Sequence, residues 1–559
     1  MYLHTHQLPG HRSEELGILP SPELDTLLHY AKALSDTKQR DHIDLLVVTL
    51  LSNDHVGKLL AIFEQCAQQD DLSNMRTLRG IFNTMLLWAD TDMIQELVLE
   101  KHIHGVLSVF DFMSKRNPSF CEQFESMPRL DLIDLLKKKT ILVDNLRHAE
   151  NLAFIKNQIA PQYWQKTSLV NALQRMCSWK HLAIVNWMQQ DTLLIPQLFD
   201  LLLLPPSSSD DNNDLTHQKR SAVHFLSKMF EFALNDMQQF ASASFFREMT
   251  KKGLLNVIQQ LLCSDDRTIQ ITTTHLLSTT VQLDIWVLQQ HILNQTEKQQ
   301  QQHPSSSLLQ VVLDQLAQVD DYVLKQQLFS IIKQILGLAD LGSSSNYIHR
   351  QSIFNDDPVT GNMLKLFYER YASTLILPIH AIQATQQPPI DMDHALVPLE
   401  MDPQQIVFYD RLCEFLQSIL LQYGTRTKRI LQDPLCFQNV AQLLRCQDAT
   451  LKLRTLGFFR AVVGLRDNDI HALMIQQNVF AYLVRLFLDT NPEQQHQQLY
   501  TELVELFDFI QLRNIVILME HIVSEFGDLL EPFPIYQSIK TKYDKHLESR
   551  PPPSSLFTR

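Results

Sequence analysis

The sequence predicts an all-α chain of repeated helical units, and three observations carry that prediction. Apolar residues recur at three- and four-residue spacing along nearly the whole length, the pattern of a helix with one buried face. Glycine is scarce, 13 in 559 residues or about 2.3% against a usual share near 7%, which leaves few positions for the turns of β-rich or phosphate-cradling folds. A helix, turn, helix grammar then returns at a spacing near 40 residues, the mark of an armadillo or HEAT-like helical repeat solenoid, an α-α superhelix.

The grammar is plainest in LLNVIQQLL, residues 254–262, where Leu254, Ile258 and Leu261 share one face and Leu255 and Leu262 flank it. Cys263, Ser264, Asp265 and Asp266 follow, short polar side chains suited to a turn and an N-cap, and a second helix runs toward Val281. Thr272, Thr273, Thr274, Thr279 and Thr280 oppose that helix locally, because branching at Cβ favours strands. Length and context favour helix. A further copy starts at Leu308 with Asp320 and Asp321 at its turn, 55 residues after Asp265; setting aside the polar stretch 297–307 brings the spacing into the low forties. Residues 439–465 and 479–510 repeat the pattern, with Asp448 and Asp489 expected as turn aspartates 41 residues apart.

One helical array is expected over residues 19–550. Clusters of Pro, Ser, Gly, Asn and Gln place surface-loop insertions near 205–216, 296–307, 341–358 and 382–403, and residues 1–18 and 551–559 read as flexible tails.

Charge narrows the partners. Lys plus Arg number 48 against 62 Asp plus Glu, a net charge of −14, which disfavours phosphate backbones and anionic lipid and points to proteins. Neither direct nucleic-acid binding nor membrane association is expected. Cys66, Cys121, Cys177, Cys263, Cys413, Cys436 and Cys446 form no C-x-x-C pair, as in a reducing compartment. The start, MYLHTHQLPG, lacks a long apolar core, and the apolar run Leu201 to Leu204 stops at Pro205 and Pro206, so neither a secretory signal nor a membrane span is expected.

Catalytic signatures are missing. No G-x-G-x-x-G, G-x-S-x-G or H-E-x-x-H occurs. Gly337 to Gly342 approaches a phosphate loop, but Ser343 stands where the lysine is needed, and a helix C-cap with a polar loop explains both glycines. Among 22 histidines, His4, His6 and His11 lie near the start, while His102 and His104, two apart on a helix, diverge by about 200° and cannot chelate from one face. Cys436 and Cys446 lack a partner pair and read as small buried hydrophobes. Glu502 and Glu505 mark the wet face of a core helix, Lys137, Lys138 and Lys139 a solvated helix end, and the pairs Phe245-Phe246 and Phe458-Phe459 core. No catalytic residue, cofactor or metal site is expected, and no partner-binding residue is assigned.

Particular strings go further than the period. LSNDHVGKLLAIFEQC (51–66), GIFNTMLLWADTDMIQELVLEKHIHGVLSVFDF (80–112), HLAIVNWMQQD (181–191), FFREMTKKGLLNVIQQLL (245–262), MLKLFYERYASTLILPI (363–379), ELVELFDFIQLRNIVILMEHIVSEFGDLL (502–530) and IKTKYDKHLESR (539–550) resemble, in order, the helical region of regulatory subunit 3 of serine/threonine protein phosphatase 4, the SMEK/Psy2 family. The resemblance implies a non-catalytic armadillo-like scaffold that directs a phosphatase 4-like catalytic subunit, with regulatory subunit 2, to phosphoprotein substrates. It also implies a nuclear and cytoplasmic location and a link to the DNA damage response. Family members usually begin with a pleckstrin-homology-like domain that captures peptides containing Phe and Pro; here the repeats start at LPSPELDTLL, residues 19–28, so that module and the long charged C-terminal tail are expected to be absent. Solenoid architecture by itself is equally compatible with a general armadillo or HEAT adaptor such as a nuclear transport factor.

Overall fold

The computed structural model describes residues 19–548 apart from 20, 38, 53, 115, 164, 206–211, 300–305, 339–357, 381, 383–395 and 491–496. Helices dominate, and among the described residues the β pairing is a single isolated bridge between Leu399 and Cys446. The expected tails at 1–18 and 551–559 lie outside the described residues. Among those described, no single helix is long and apolar enough to cross a membrane.

The chain divides into two units, Met1–Phe245 and Phe246–Arg559. In the first, Leu27–Asp36 packs on Leu72–Leu87, Arg40–Ser52 on Thr91–Leu97, and His55–Gln68 on Ile103–Asp111. Each helix thus meets its counterpart in the next repeat. Thr167–Gln190 lies between Thr140–Phe154 and Asn212–Asp236.

The second unit is an array of three-helix repeats with two long rows. One row runs Leu254–Leu262, Leu308–Gln318, Ala372–His380, Cys436–Gln442 and Val479–Asp489, each packed on the next. The other, which we term the third-helix row, runs Arg267–Leu283, Tyr322–Ile335, Pro403–Tyr423, Ala449–Gly464 and Gln497–Leu512, again each packed on the next. The expectation of helical pairs is corrected by the short helices that precede them, such as Asn468–Gln476, which add a third member. At nine residues it carries too few apolar positions to stand out in the pattern.

Burial explains why these helices need neighbours. Leu254–Leu262 buries Leu254, Leu255, Val257, Ile258, Leu261 and Leu262. At about 1.5–3 kcal/mol each that contributes roughly 9–18 kcal/mol, while ordering its residues costs roughly 14 kcal/mol at about 1.5 per residue. The helix holds only while adjacent helices cover it.

Short polar side chains start the third-row helices as the turn reading requires. Asp266 accepts from Ile269 N–H at 3.1 Å, Asp321 from Val323 at 2.8 Å and Leu324 at 3.1 Å, and Asp448 from Leu451 at 2.8 Å. Asp402 forms a full capping box with Gln405, and Pro403 opens the helix. Asp489, the other expected turn aspartate, is the last residue of Val479–Asp489, and its carboxylate accepts from Arg485 four residues back at 2.5 Å and from Leu396 N–H at 3.1 Å. The threonine-rich Arg267–Leu283 is helical because packing outweighs the strand preference: Ile269, Leu276, Leu277 and Val281 are buried with Thr273, Thr274, Thr279 and Thr280, and Thr272, Thr274 and Thr279 satisfy their hydroxyls on carbonyls four residues back at 2.8–3.0 Å.

The loop expectations need trimming. Helix Asn212–Asp236 starts inside 205–216, since Asp214 suits the positive end of a first turn and accepts from Gln218 at 2.7 Å. Helix Ile285–Gln299 runs into 296–307, and Thr296 is buried with its hydroxyl on Ile292 O at 2.9 Å. Ser307 caps Leu308–Gln318 and meets the Tyr371 hydroxyl at 2.7 Å. Of 341–358, Pro358 opens a helix and the remainder lies outside the described residues. Of 382–403, residues 396–402 are tied down: Leu399 N–H donates to Arg445 O at 3.1 Å, and the buried Arg445 returns its Nε to Val397 O at 2.7 Å.

Candidate functional site

Along the third-helix row the side chains that do not reach the core form an open trough of about 920 Å³. Three consecutive helices build it, Pro403–Tyr423, Ala449–Gly464 and Gln497–Leu512. The middle helix turns Gly457, Ala461 and Gly464 toward it, at spacings of four and three that share one face. These small residues make the floor. A Cβ at Gly457 would stand 3.0 Å from both amide atoms of Gln417, and one at Gly464 would meet Phe509 at 3.9 Å. Leu421, 53% exposed, and the half-buried Phe509 line it with apolar surface.

Charged groups edge the trough. Arg454 Nε donates to Asp410 at 3.3 Å, and Arg460 reaches Glu502 at 3.4 Å and Glu505 at 2.8 Å. A second hollow of about 280 Å³ continues along the same row between Tyr322–Ile335 and Pro403–Tyr423. There Glu414 binds Arg411 at 2.8 Å and Lys333 at 3.4 Å. Burial alone would raise the Glu414 carboxyl, but Arg411, Lys333 and Arg454 outweigh it and hold the group below the usual range. Its charge is therefore kept. The wet-face reading of Glu502 and Glu505 matches their place on the row, but sequence reasoning missed that Gln417, Gly457 and Phe509 meet.

Several other groups among the described residues that could do chemistry are engaged structurally. Asp54, Glu96 and His102 bring ligand-type atoms within 4.8 Å of one another. His102 Nε2 lies 3.0 Å from Glu96 Oε1, and the Lys101 ammonium stands 3.3 Å from Glu96 and 3.5 Å from Asp54. A cation of the protein's own thus fills that position. Burial would lower Lys101, but the two carboxylates raise it further than burial lowers it. His104 instead packs edge-on against Phe124 at 5.2 Å.

A Ser, His and Asp set, also missed in the sequence, joins two helices of the first unit. Ser178 Oγ donates to Asp236 Oδ1 at 2.5 Å and His181 Nδ1 lies 2.6 Å from Oδ2, with the imidazole stacked on Phe232 at 3.7 Å. Both partners hold the same carboxylate, so the histidine is not placed between serine and aspartate as a proton relay requires. Burial lowers the His181 pKa and Asp236 opposes it without prevailing.

The remaining candidates resolve individually. Cys436 and Cys446 are buried; burial raises the Cys436 thiol strongly, and the buried Cys413 is pushed up to about 12, so neither Cys413 nor Cys436 is a ready nucleophile. Gly337 ends its helix at φ 68°, where the missing side chain permits the left-handed turn, and Gly342 lies outside the described residues. Lys139 corrects the solvated-end reading, since it pairs with Asp191 at 2.6 Å over the Trp187 ring. Phe245, Phe246, Phe458 and Phe459 are fully buried.

Compared with known families, the chain matches the model described as Phosphatase 4 regulatory subunit 3 over residues 27–545. Serine/threonine-protein phosphatase 4 regulatory subunit 3 of Drosophila melanogaster is 21% identical over 515 residues, 90% of this chain and 48% of that protein. Protein PPP4R3C1 of Mus musculus is 18% identical, covering 89% of this chain and 59% of its own length, and Suppressor of Mek1 of Dictyostelium discoideum is 19% identical, covering 87% and 44%. The chain spans about half the length of the relatives it matches.

Proposed function

The chain belongs to the phosphatase 4 regulatory subunit 3 family, and from that membership we propose that it is a non-catalytic regulatory subunit. It holds a serine/threonine phosphatase 4-like catalytic subunit, together with regulatory subunit 2, on phosphoprotein substrates. The observation that carries this reading is the family match across residues 27–545. The arrangement of side chains supports it, because the Ser178, His181 and Asp236 set is wired for packing. A scaffold of this kind acts by raising the concentration of substrate at an active site on another chain. Removal of phosphate is the partner's reaction. The same reading places the complex among nuclear and cytoplasmic phosphoproteins, including those of the DNA damage response.

Native affinity purification of the intact chain, followed by mass spectrometry and a phosphatase assay, tests the proposal. A phosphatase catalytic subunit and regulatory subunit 2 should copurify in fixed ratio, with activity in the eluate. Recovery of transport GTPases and their cargo, with no phosphatase, would overturn it in favour of a general adaptor.

A further inference from the structure

We propose that Asp54, Glu96 and His102 form a three-ligand zinc site in the first unit, and that the Lys101 ammonium is the cation a zinc ion displaces there. The inference does not rest on the phosphatase reading.

Three helix ends supply the ligands. Asp54 precedes His55–Gln68, Glu96 lies in the last turn of Thr91–Leu97, and His102 precedes Ile103–Asp111. Asp54 and His102 hold N-cap positions, yet neither side chain caps its helix. They turn toward each other and toward Glu96: His102 Nε2 lies 3.0 Å from Glu96 Oε1 and 3.7 Å from Asp54 Oδ1. Gly57 clears the space for the Asp54 carboxylate, since a Cβ there would stand 2.7 Å from Asp54 Oδ2. Among the described residues no other trio of His, Cys, Asp or Glu ligand atoms comes within 4.8 Å of one another.

The spacing and the donor set fit zinc. With ligand bonds of about 2.0–2.2 Å, the donor atoms around a tetrahedral ion stand about 3.4 Å apart. The separations of 3.0 and 3.7 Å from His102 Nε2 bracket that value. The His102 side chain is only 5% exposed, so the imidazole is fixed by its surroundings, and the exposed Asp54 carboxylate closes the remaining edge by rotation. One imidazole with two carboxylates suits zinc, whereas magnesium and calcium take oxygen ligands. Three protein ligands leave a fourth position open on the solvent side.

Charge gives the same answer. The Lys101 ammonium stands 3.5 Å from Asp54 Oδ1 and 3.3 Å from Glu96 Oε1, the same two oxygens that face His102. A cation is thus already drawn to the point where they converge. One ammonium faces two carboxylates there, whereas a dication matches both. Lys101 is 59% exposed, so its ion pairs contribute little and its side chain is free to swing into water. Zinc in its place ties the start of His55–Gln68 to the turn between Thr91–Leu97 and Ile103–Asp111.

Titration of the full chain with Zn²⁺ against a chromogenic zinc indicator tests the site. Saturable binding is expected, weakened about tenfold or more in Asp54→Asn, Glu96→Gln and His102→Gln, since each removes one of three ligands. Lys101→Met should do the opposite and tighten binding about tenfold, because the competing ammonium is gone. Zinc should also raise the melting temperature of the parent chain but not that of Asp54→Asn. Asp54 and Lys101 are exposed, so these two variants decide the matter even where His102→Gln does not fold, and thermal unfolding without zinc verifies that both fold. Binding that survives Asp54→Asn unchanged belongs to cysteines or histidines elsewhere in the chain and overturns the site, as does the lack of saturable binding. Binding no tighter in Lys101→Met overturns the displacement. Equal affinity for Mg²⁺ overturns the assignment to zinc.

Discussion

Leu261→Asp probes whether neighbouring repeats share a dry core. Leu261 is 4% exposed on Leu254–Leu262, a helix covered by Arg267–Leu283 and Leu308–Gln318. Leu261→Asn is the reference, of nearly the same shape but without a titratable group. Losing the leucine and burying an amide costs about 3–5 kcal/mol at any pH. The aspartate adds a charge. Burial raises a carboxyl from about 3.9 in the unfolded chain by roughly three units, at about 1.36 kcal/mol each, so the aspartate costs about 4 kcal/mol more than asparagine at pH 7.5. The sign follows from the raised folded pKa: below about pH 3.9 both states hold the proton and the extra loss is absent, and it grows as pH rises toward about 7. Urea unfolding followed by circular dichroism at pH 4.5 and 7.5 reads the change. The two variants should differ by about 1 kcal/mol at the lower pH and by about 4 kcal/mol at the higher. Coincidence at both would show that position 261 reaches water, and the shared-core argument would fail.

Four further outcomes test separate parts of the fold. Asp266→Ala removes the cap on Ile269 N–H and should lower stability by about 1 kcal/mol, with Asp266→Asn largely restoring it in thermal unfolding. Arg445→Met removes the donor to Val397 O, so hydrogen exchange at Leu399 should quicken about tenfold while global unfolding moves little; unchanged exchange would show that the 396–402 segment is held by other contacts. His471 is fully buried, its pKa lowered by burial more than the Val463 carbonyl and Asp467 raise it, so the native state resists the proton that the unfolded chain takes up below about pH 6.5. Stability should therefore fall from pH 7 to pH 5, and His471→Gln should flatten that slope in urea titrations. Deleting residues 301–304 should leave the melting temperature nearly unchanged, whereas deleting 296–307 removes the buried Thr296 and the Ser307 cap and should cost about 2 kcal/mol or more.

Much of the fold is legible because it follows from local chemistry. The 254–262 face is buried as the spacing requires, and aspartates open helices at 266, 321 and 448. Spacing marks Asp489 as a turn aspartate without saying which side of the turn it takes, and Arg485, four residues earlier, is the signal that it closes the preceding helix. Residues 212–216 and 296–299 mislead. Asn, Asp and Gln suit both a loop and the exposed end of a helix, and the buried contact that decides, Thr296 against its own helix, is not visible in composition.

The trough is harder to read, and the reason is geometric. Gln417, Gly457 and Phe509 lie 40 and 52 positions apart, and only the stacking of third helices brings them together. Taken singly, a glutamine, a glycine and a phenylalanine on amphipathic helices carry no message. One signal was present: Gly457, Ala461 and Gly464 share a face of a helix whose other faces are filled by leucine, valine and phenylalanine. Gly457 lies inside the helix, where glycine costs up to about 1 kcal/mol relative to alanine, whereas Gly464 is its last residue, where glycine is common. Gly464 has open space before it apart from Phe509, and an alanine there meets no clash within the chain. Packing within this protein therefore leaves room for alanine at 464, and thermal unfolding of Gly464→Ala, expected to shift stability by less than about 1 kcal/mol at this helix-terminal position, checks that reading; a larger loss would show that the glycine is needed by the fold.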